Sequence, residues 1–369
     1  MPIIVVCICV ALLVSLQNFT YKRLWDKGLR FSVLFSHREV FEGDELQIQM
    51  ELTNKKFLPL PWVVAKTEMS RGFLFQGDFD ELSKNINKNT ELLTSIMMYS
   101  VQKKRKPLVC MYRGVFRLFS AKLIVSNLLH TEEFSKDVKL GSEILVFPKT
   151  LENYENMNMI YKKVDSVIQS KALIDPDPFE FKGIREYQPT DPLKTVNFKA
   201  TAVSQRLMVN VNAPTNSYKL TIVLNVEDTL INYEWEIYEQ SIRLAATLAK
   251  YYIEHNANLG IITNGRDTSS GEALTVRGGA SCGHMYSIYE GLARIALRLP
   301  AKPMADMLDG FSDKERVYII ISPIYGQRLL DSFKSLKERQ VNAHMIIPYF
   351  RRPKVNLPED VTIWDAHPG

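Results

Sequence analysis

The chain has 369 residues, of which 46% are hydrophobic and 24% are charged, and its formal net charge is +5. These values are typical of a globular protein with enough apolar residues for two domain cores, and they exclude an intrinsically disordered chain. The small net charge disfavours a nucleic-acid-binding protein, and we predict that the one dense basic run, KKRK at 103–106, is a solvated turn. The 4 cysteines form no C-x-x-C pair, which argues against a disulfide framework or a structural zinc site and favours a reducing compartment.

The first 21 residues contain no charged side chain and read PIIVVCICVALLVSL over 2–16. This length is near the lower limit for a membrane-spanning helix, which needs about 20 apolar residues. No basic residue precedes the run and no small-residue cleavage site follows it. An uncleaved anchor at 1–21 is therefore favoured over a signal peptide or a buried element of a soluble domain. Basic residues outnumber acidic ones just after it, so the positive-inside rule predicts a single-pass cell-membrane protein with most of the chain in the cytoplasm.

Residues 31–147 show the two-residue period of half-buried strands. LQIQMEL at 46–52 alternates apolar and polar residues without a fault. Trp62 follows Pro59 and Pro61, which predicts an edge strand that begins after a kink. Several short strands without a long amphipathic helix predict a β-sandwich-like domain.

Residues 148–174 form a polar, then amphipathic, connector in this interpretation. It leads into the segment 175–215, where prolines, charges and aromatic residues are densest. Its Asp-Pro pairs favour turns. We therefore expect an ordered but mostly irregular segment that joins two domains and is held by pairs of acidic and basic side chains.

From residue 216 the pattern changes to alternating strands and helices. YKLTIVLNV at 218–226 and RVYIIIS at 316–322 are continuous apolar runs, which are typical of strands buried on both faces. Amphipathic helices are predicted at 235–252, 284–299 and 327–339, and a last edge strand at 361–364. This alternation predicts an α/β domain over 216–369.

The run GIREYQPTDPLKTVNFKATA at 183–202 resembles the signature of the bacterial family called Domain of Unknown Function 58. The family pattern is roughly G-x-R-E-Y-x-x-G-D-x-x-R-x-I-x-W-x-x-x-A-R. The positions that match it are Gly183, Arg185, Glu186, Tyr187, Asp191 and Ala202. The positions that depart from it are Thr190 for glycine, Lys194 for arginine, Phe198 for tryptophan and Val203 for arginine, which indicates a divergent member.

The resemblance implies a multidomain α+β protein in which a membrane anchor and a β-sandwich-like domain precede a von Willebrand factor A-like, Rossmann-type domain. It also implies a MoxR-type AAA+ ATPase as partner, in an assembly or chaperone-like role. Lys194, Phe198 and the matching signature residues would then be structural or docking residues. No phosphate-binding loop, G-x-S-x-G elbow or H-E-x-x-H motif occurs in the sequence. We therefore predict a membrane-anchored, non-enzymatic interaction factor that binds no nucleic acid.

Von Willebrand factor A domains can hold a divalent metal on a first loop of the form D-x-S-x-S, since a hard cation prefers carboxylate and hydroxyl oxygens. The corresponding loop here is NVEDT at 225–229, and the later strand end reads ISP at 321–323. Two expected ligands are absent. We predict no metal and no other cofactor, with Glu227, Asp228 and Thr229 as the remaining weak candidates for a divalent cation.

Two alternative functions stay open on the sequence. In the first, the chain is a metal-dependent binding module that needs Glu227 for partner binding. In the second, it is a hydrolase that uses the acidic residues of the segment, and Glu186→Gln or Asp191→Asn would abolish turnover while the fold stays intact.

Overall fold

The computed structural model describes residues 2–69, 73–75, 88–151, 157–174, 176–189, 191–214, 219–227, 235–297, 300–352 and 357–367. The chain divides into two compact units, Met1–Lys149 and Thr150–Gly369. The first unit contains the predicted anchor and β domain, and the second contains the segment 175–215 together with the α/β region.

Helix α1, Pro2–Leu24, begins the first unit. Within the described residues, its portion Ile3–Leu24 is the one helix long and apolar enough to cross a membrane. Its apolar side chains between Ile3 and Leu16 are exposed rather than packed against the domain. A helix of a soluble core would bury such side chains, so the predicted N-terminal apolar helix is present and stands free along most of its length.

Two sheets follow α1 and share one hydrophobic core. Their strands β1 to β9 are Leu29–Phe35, Glu39–Phe41, Glu45–Asn54, Leu60–Met69, Phe73–Phe75, Lys88–Ile96, Val101–Cys110, Gly114–Ser126 and Glu133–Phe147. One sheet has the order β1-β3-β7-β5 and the other β2-β9-β8-β4-β6. Ile48 and Leu52 of the first sheet and Val63 and Leu123 of the second lie in a common buried cluster. Strand β3 buries every second side chain, as its alternating sequence predicts.

Two predictions for this region are wrong. Strand β4 is an interior strand between β6 and β8, although it was predicted to lie at an edge. Its Pro61 is tolerated because the pairing of β4 with β6 shifts register between Leu60 and Val63. The basic run at 103–106 is part of strand β7 rather than a turn. It is solvated, as predicted, and Lys103 Nζ lies 3.1 Å from Glu51 Oε2 on the neighbouring strand.

The second unit is built on a central sheet with the strand order β14-β13-β12-β16-β17-β18, and the short β15 pairs with β13. These strands are Lys219–Leu224 (β12), Asn258–Asp267 (β13), Ala273–Gly279 (β14), Ile295–Ala296 (β15), Arg316–Ile321 (β16), Asn342–Tyr349 (β17) and Val361–Asp365 (β18). Strands β12, β13, β16, β17 and β18 are parallel, and β14 is antiparallel. The chain thus places β13 and β14 on one side of β12 and β16 to β18 on the other.

Helices cover both faces of this sheet. Helices α2 to α7 are Met157–Ile174, Phe198–Ser204, Trp235–Glu254, Cys282–Arg294, Met304–Asp309 and Gln327–Glu338. Helices α2, α4 and α5 share one buried cluster with the sheet, and α6 and α7 share another on the opposite face. Most of the predicted connector at 148–174 is therefore a core helix of the second unit, because Ile160 and Val164 of α2 are fully buried in that cluster.

The segment 175–215 is more regular than predicted. Strands β10, Pro176–Glu186, and β11, Met208–Pro214, pair antiparallel as a separate two-stranded sheet. A single 3₁₀ turn, Leu193–Thr195, and the short helix α3 connect the strands. The prediction of a mostly irregular segment is wrong. The backbones of β10 and β11 pair continuously from Gly183 and Val211 to Glu186 and Met208, and this pairing gives the segment regular structure. Asp175 and Thr190 lie outside the described residues.

Candidate functional site

An Arg–carboxylate pair closes the loop that follows β10. Arg185 donates from Nη1 to Asp191 Oδ2 at 2.7 Å and from Nη2 to Asp191 Oδ1 at 2.6 Å. The backbone N–H of Gln188 also donates to Asp191 Oδ2, at 2.8 Å. Two parallel hydrogen bonds fix both the distance and the plane of the pair, so this contact sets the geometry of the loop.

The charge state of Asp191 follows from these contacts. The hydrogen bond from Arg185, helped by that from the Gln188 amide, lowers the pKa of the carboxyl below its ordinary value. A carboxylate held this way stays ionised at neutral pH, whereas a general acid needs a raised pKa. The geometry is that of a structural pair.

Helix α3 is held onto the hairpin by side-chain capping. Asn197 accepts a hydrogen bond from the Ala200 amide at 2.9 Å, and its Nδ2 donates to Asn210 Oδ1 of β11 at 2.8 Å. Thr201 Oγ1 accepts from the Met208 amide at 3.0 Å. Asn is a favoured N-cap residue because its side chain satisfies an otherwise free amide of the first turn. The loop, α3 and β11 are thus tied together by specific bonds.

Four large apolar side chains of this stretch are exposed. Phe198 is 80% exposed and Val203 is 84% exposed, the highest exposures of large hydrophobic residues in the second unit's described part. Leu193 at 73% and Leu207 at 46% are exposed in the same short stretch. We call these four residues the signature patch. Large apolar side chains that are exposed close together in the chain, on a segment held by specific bonds, are a typical feature of a contact surface.

The remaining signature residues have modest structural roles. Glu186 lies 3.5 Å from Arg206, and both side chains are exposed. The Tyr187 amide donates to Leu207 O at 2.8 Å. A Cβ atom at Gly183 would meet nothing within 4 Å, so the local fold does not require glycine there. Lys194 and Ala202 are exposed. The structure brings these residues into one hairpin, but only Arg185 and Asp191 form a close charged pair.

The signature patch as a whole was not predicted from the sequence. Phe198 was predicted to be a structural or docking residue, and Val203 was noted only as a departure from the arginine of the family pattern. Both side chains are exposed on α3. The available signal was the combination of apolar residues with prolines and charges, a pattern that cannot be folded into one buried face.

Asp191→Asn is expected to loosen this hairpin without unfolding the second unit. The substitution removes the charge from the Arg185 pair and weakens the acceptor of the Gln188 amide, so hydrogen exchange at Gln188 should accelerate while exchange in β16 stays unchanged. Because the folded-state pKa of Asp191 is lowered, the wild-type contribution is present above the unfolded pKa and is lost as pH falls. Hydrogen exchange at neutral and acidic pH measures both effects.

Glu186→Gln is the matched control, since its partner Arg206 lies 3.5 Å away at an exposed position. Exposed ion pairs contribute little to stability, so exchange should barely change. Equal acceleration in both variants would show that the Arg185–Asp191 pair does not hold the loop.

A second polar cluster lies at the carboxyl end of the central sheet. Asn225 follows β12, Asn264 lies in β13 and Ser322 follows β16, and all three are buried. Asn264 Nδ2 donates to Asn225 Oδ1 at 2.8 Å, and Asn225 Nδ2 donates to Ser322 Oγ at 2.9 Å. Asn264 Oδ1 accepts from the Val226 amide at 2.8 Å. Ligands of open α/β sheets gather where the strand order reverses, which here is between β12 and β16.

Side-chain oxygens of Glu227 and Ser322 at this edge make hydrogen bonds within the protein. Glu227 uses Oε2 to accept from the Met304 amide at 3.0 Å, and its own amide donates to Asn225 Oδ1 at 2.9 Å. Ser322 Oγ donates to Ile324 O at 2.6 Å. A hard cation is held by several oxygens, and these two oxygens have the Met304 amide and the Ile324 carbonyl as their partners. Asp228 and Thr229, the other two weak candidates, lie outside the described residues, and the described residues contain no group of three acidic, histidine or cysteine side chains suited to a metal.

No protein-family model matches the chain, and no curated protein matches it. Among solved structures, it is similar to a non-cellulosomal cohesin from Archaeoglobus fulgidus, at 7% identity over 36% of this chain and 98% of that one, with a TM-score of 0.22. The CARDB domain of a Pyrococcus furiosus protein matches at 9% identity over 31% of this chain and 94% of that one, with a TM-score of 0.19. Spo0M, a sporulation control protein from Bacillus subtilis, matches at 10% identity over 44% of this chain and 58% of that one, with a TM-score of 0.19.

Proposed function

We propose that the protein is a membrane-anchored, non-enzymatic interaction factor whose second unit docks a partner protein through the signature patch. The observation that carries this proposal is the high exposure of Phe198 and Val203 on a hairpin held by the Arg185–Asp191 pair. A protein that keeps large apolar side chains in water on a rigid support gains from covering them, and a partner surface does so.

The topology of the second unit supports a von Willebrand factor A-like domain as the scaffold of this surface. Numbered in chain order from β12, and leaving out β15, the strands have the spatial order 3-2-1-4-5-6, the order that doubly wound folds use. The third strand, β14, is antiparallel. When the short β15, helix α6 and the last strand β18 are left out, the chain order is strand, helix, strand, strand, helix, strand, helix, strand, which is the order expected from the family resemblance.

The chemistry around the patch indicates the kind of partner. Lys194, Lys199 and Arg206 are exposed in the same stretch; of the nearby acids, Asp191 pairs with Arg185, and Glu186 lies 3.5 Å from Arg206. A complementary surface would be apolar with acidic residues at its rim. The resemblance to the Domain of Unknown Function 58 family makes a MoxR-type AAA+ ATPase the partner we propose for it, and that ATPase would supply the energy for assembly work.

Phe198→Ser combined with Val203→Ser is expected to weaken capture of the ATPase at least about tenfold, since exposed apolar anchors dominate such interfaces. The fold should be unaffected, because both side chains point into water in the free protein. Capture is measured by pull-down of the tagged full chain from detergent-solubilised membranes of its own source, with the ATPase quantified by mass spectrometry.

Phe119→Ser is the control. Phe119 is 72% exposed on the first unit, so this variant removes a comparable apolar side chain from a different surface. Capture that is equally weak in the control, or enrichment of no AAA+ ATPase by the wild type, would count against the proposal.

A further inference from the structure

The end of the first unit that receives α1 carries exposed apolar residues on three separate loops. The loops are 55–59 between β3 and β4, 97–100 between β6 and β7, and 127–132 between β8 and β9, and we call them the helix-side loops. The strand register places all of them at one end of the unit. The strand residues that flank the loops pair with one another there: Asn54 with Leu29, Leu60 with Ile96, and Ser126 with Glu133. Their exposed large apolar residues are Phe57 (71%), Met97 (69%), Met98 (43%), Tyr99 (70%), Leu128 (56%) and Leu129 (51%).

Helix α1 is bonded directly to these loops. Asn127 Nδ2 donates to Asn18 Oδ1 at 2.8 Å, which ties the loop 127–132 to the last turns of the helix. Tyr21 is buried, and its hydroxyl donates to Pro59 O at 2.8 Å. Lys56 Nζ donates to Trp25 O. The helix therefore leaves the domain from among the helix-side loops, and its position relative to them is defined.

The length of α1 sets the depth of these loops. Residues 2–21 carry no charge and, at about 1.5 Å per residue, extend about 30 Å, which is the thickness of a bilayer's hydrocarbon core. The helix spans that core only if Asn18 and Tyr21 are at its boundary. Because Asn18 and Tyr21 are the residues bonded to Asn127 and Pro59, the helix-side loops must then lie at the same level as the boundary.

The distribution of charged and polar residues in the first unit agrees with this depth of the helix-side loops at the bilayer boundary. Lys22, Arg23, Lys27 and Lys55 are exposed at this end, against the exposed acids Glu132 and Glu133, and basic side chains are attracted to anionic headgroups. Two turns at the opposite end, 36–38 and 42–44, consist of polar residues and one glycine, and the loop 111–113 at that end has no exposed residue. Other exposed apolar residues of this unit, such as Leu93 and Phe119, stand singly on strands, which is ordinary.

We propose that the helix-side loops form a second membrane contact, in which Leu128, Leu129 and the apolar residues of the other two loops insert into the interfacial region of the leaflet that α1 enters. The occupant of this surface is an anionic lipid bilayer. Tyr99 and the half-exposed Trp62, whose ring lies 4.9 Å from that of His130, provide the aromatic groups that favour this depth. The inference rests on α1 being a membrane anchor.

The test is a measurement of depth with nitroxide labels on the full chain in vesicles of phosphatidylcholine with a minority of phosphatidylglycerol. Cys7, Cys9 and Cys282 are replaced by serine, and single labels are placed at Leu129→Cys and His37→Cys; a third protein retains Cys9 alone as a label site in α1. Burial raises the pKa of the Cys110 thiol to about 12, so it stays protonated and unreactive. Relaxation by oxygen and by a water-soluble nickel complex reports lipid or water around each label.

We expect the label at position 129 to be accessible to oxygen and shielded from nickel, and the label at position 37, at the opposite end, to be fully accessible to nickel. If the label at position 129 is as exposed to nickel as that at position 37 while the Cys9 label is in lipid, the loop contact is refuted and the anchor stands. If the Cys9 label is also in water, the anchor itself is refuted. Shielding that occurs only in native membranes and not in pure lipid would assign the surface to a protein and overturn the proposal.

Discussion

Asn264→Ala is expected to lower the free energy of unfolding of the second unit by about 3 kcal/mol, because it leaves the buried Val226 amide without an acceptor and leaves Asn225 Oδ1 with only the Glu227 amide as a donor. The Val226 amide loses its acceptor, and Asn225 Oδ1 loses the donor that lies 2.8 Å away. Asn225 and Asn264 are at most 1% exposed, so water cannot replace the lost bonds. Native-state hydrogen exchange of the amides in β12 and β16 measures the change.

Asn342→Ala is the matched control for this prediction. Asn342 is on β17 of the same sheet, but its Nδ2 donates to Lys314 O at a solvent-exposed position, at 3.1 Å. A bond that water can replace contributes at most about 1 kcal/mol. If the two alanine variants lose similar stability, the buried cluster at the sheet edge is not the stabilising network described here.

The second unit is expected to lose about 3 kcal/mol of stability as the pH falls from about 6.5 to about 4, through one side chain, His344. His344 is 2% exposed and lies in β17, with Nε2 2.9 Å from Thr362 Oγ1. Its Nδ1 has no hydrogen-bond partner among the described residues. Burial lowers the pKa of His344 to about 4; Asp360 opposes this shift, and Lys337 and Lys163 add to it.

The direction in which stability changes with pH follows from proton binding. Below pH 6.5 the unfolded chain protonates this histidine while the folded state keeps it neutral until about pH 4. The unfolded state therefore binds more protons in this window, and stability rises with pH. Above the window the full contribution is present, and below it the loss is complete.

Urea unfolding of wild type and His344→Asn at neutral pH and near pH 4.5 measures this contribution. The variant cannot titrate, so its loss of stability on acidification should be smaller than that of the wild type by about 3 kcal/mol. Thr362→Val keeps the buried histidine and removes only its hydroxyl partner, so it should retain the acid sensitivity. Equal losses in wild type and His344→Asn would contradict the assignment.

Where burial alternates or is complete, the sequence was sufficient to predict the strands. Strand β3 buries every second residue and β12 buries five in succession, and both patterns are visible as hydropathy in the chain. The apolar helix at the N-terminus was predictable for the same reason. These elements are specified by their own side chains.

The elements that depend on distant partners were not predictable. The first five residues of strand β7 are exposed and three of them are basic, and they are in a strand only because the backbone pairs with β3. Helix α2 has a weak local signal, and its membership of the second unit comes from contacts with the sheet. The prolines of β10 do not favour a strand, and this segment is a strand because it pairs with β11. Backbone hydrogen bonds across a sheet carry no signature in the sequence of one strand.

For the candidate site, the acid–base pairing was predictable from alternating charges, but which pair forms was not. Arg185 and Asp191 are six residues apart and meet only because the loop between them turns back. The exposure of Phe198 was not predictable, since an aromatic residue in a segment with a family signature favours burial. The partner for the signature patch stays a prediction until the capture experiment is made.

The way α1 joins the first unit has a mechanical consequence. Only residues 25–28 separate the helix from β1, and two of them are held: Trp25 stacks on Phe134 with ring centroids 5.8 Å apart, and Asp26 pairs with Lys136 at 3.1 Å. In a chain anchored through α1, the segment between the helix and the first unit is therefore short and fixed at the bilayer surface. The first unit would not rotate independently of such an anchor. A pulling force applied to the unit would therefore tilt the helix in the bilayer.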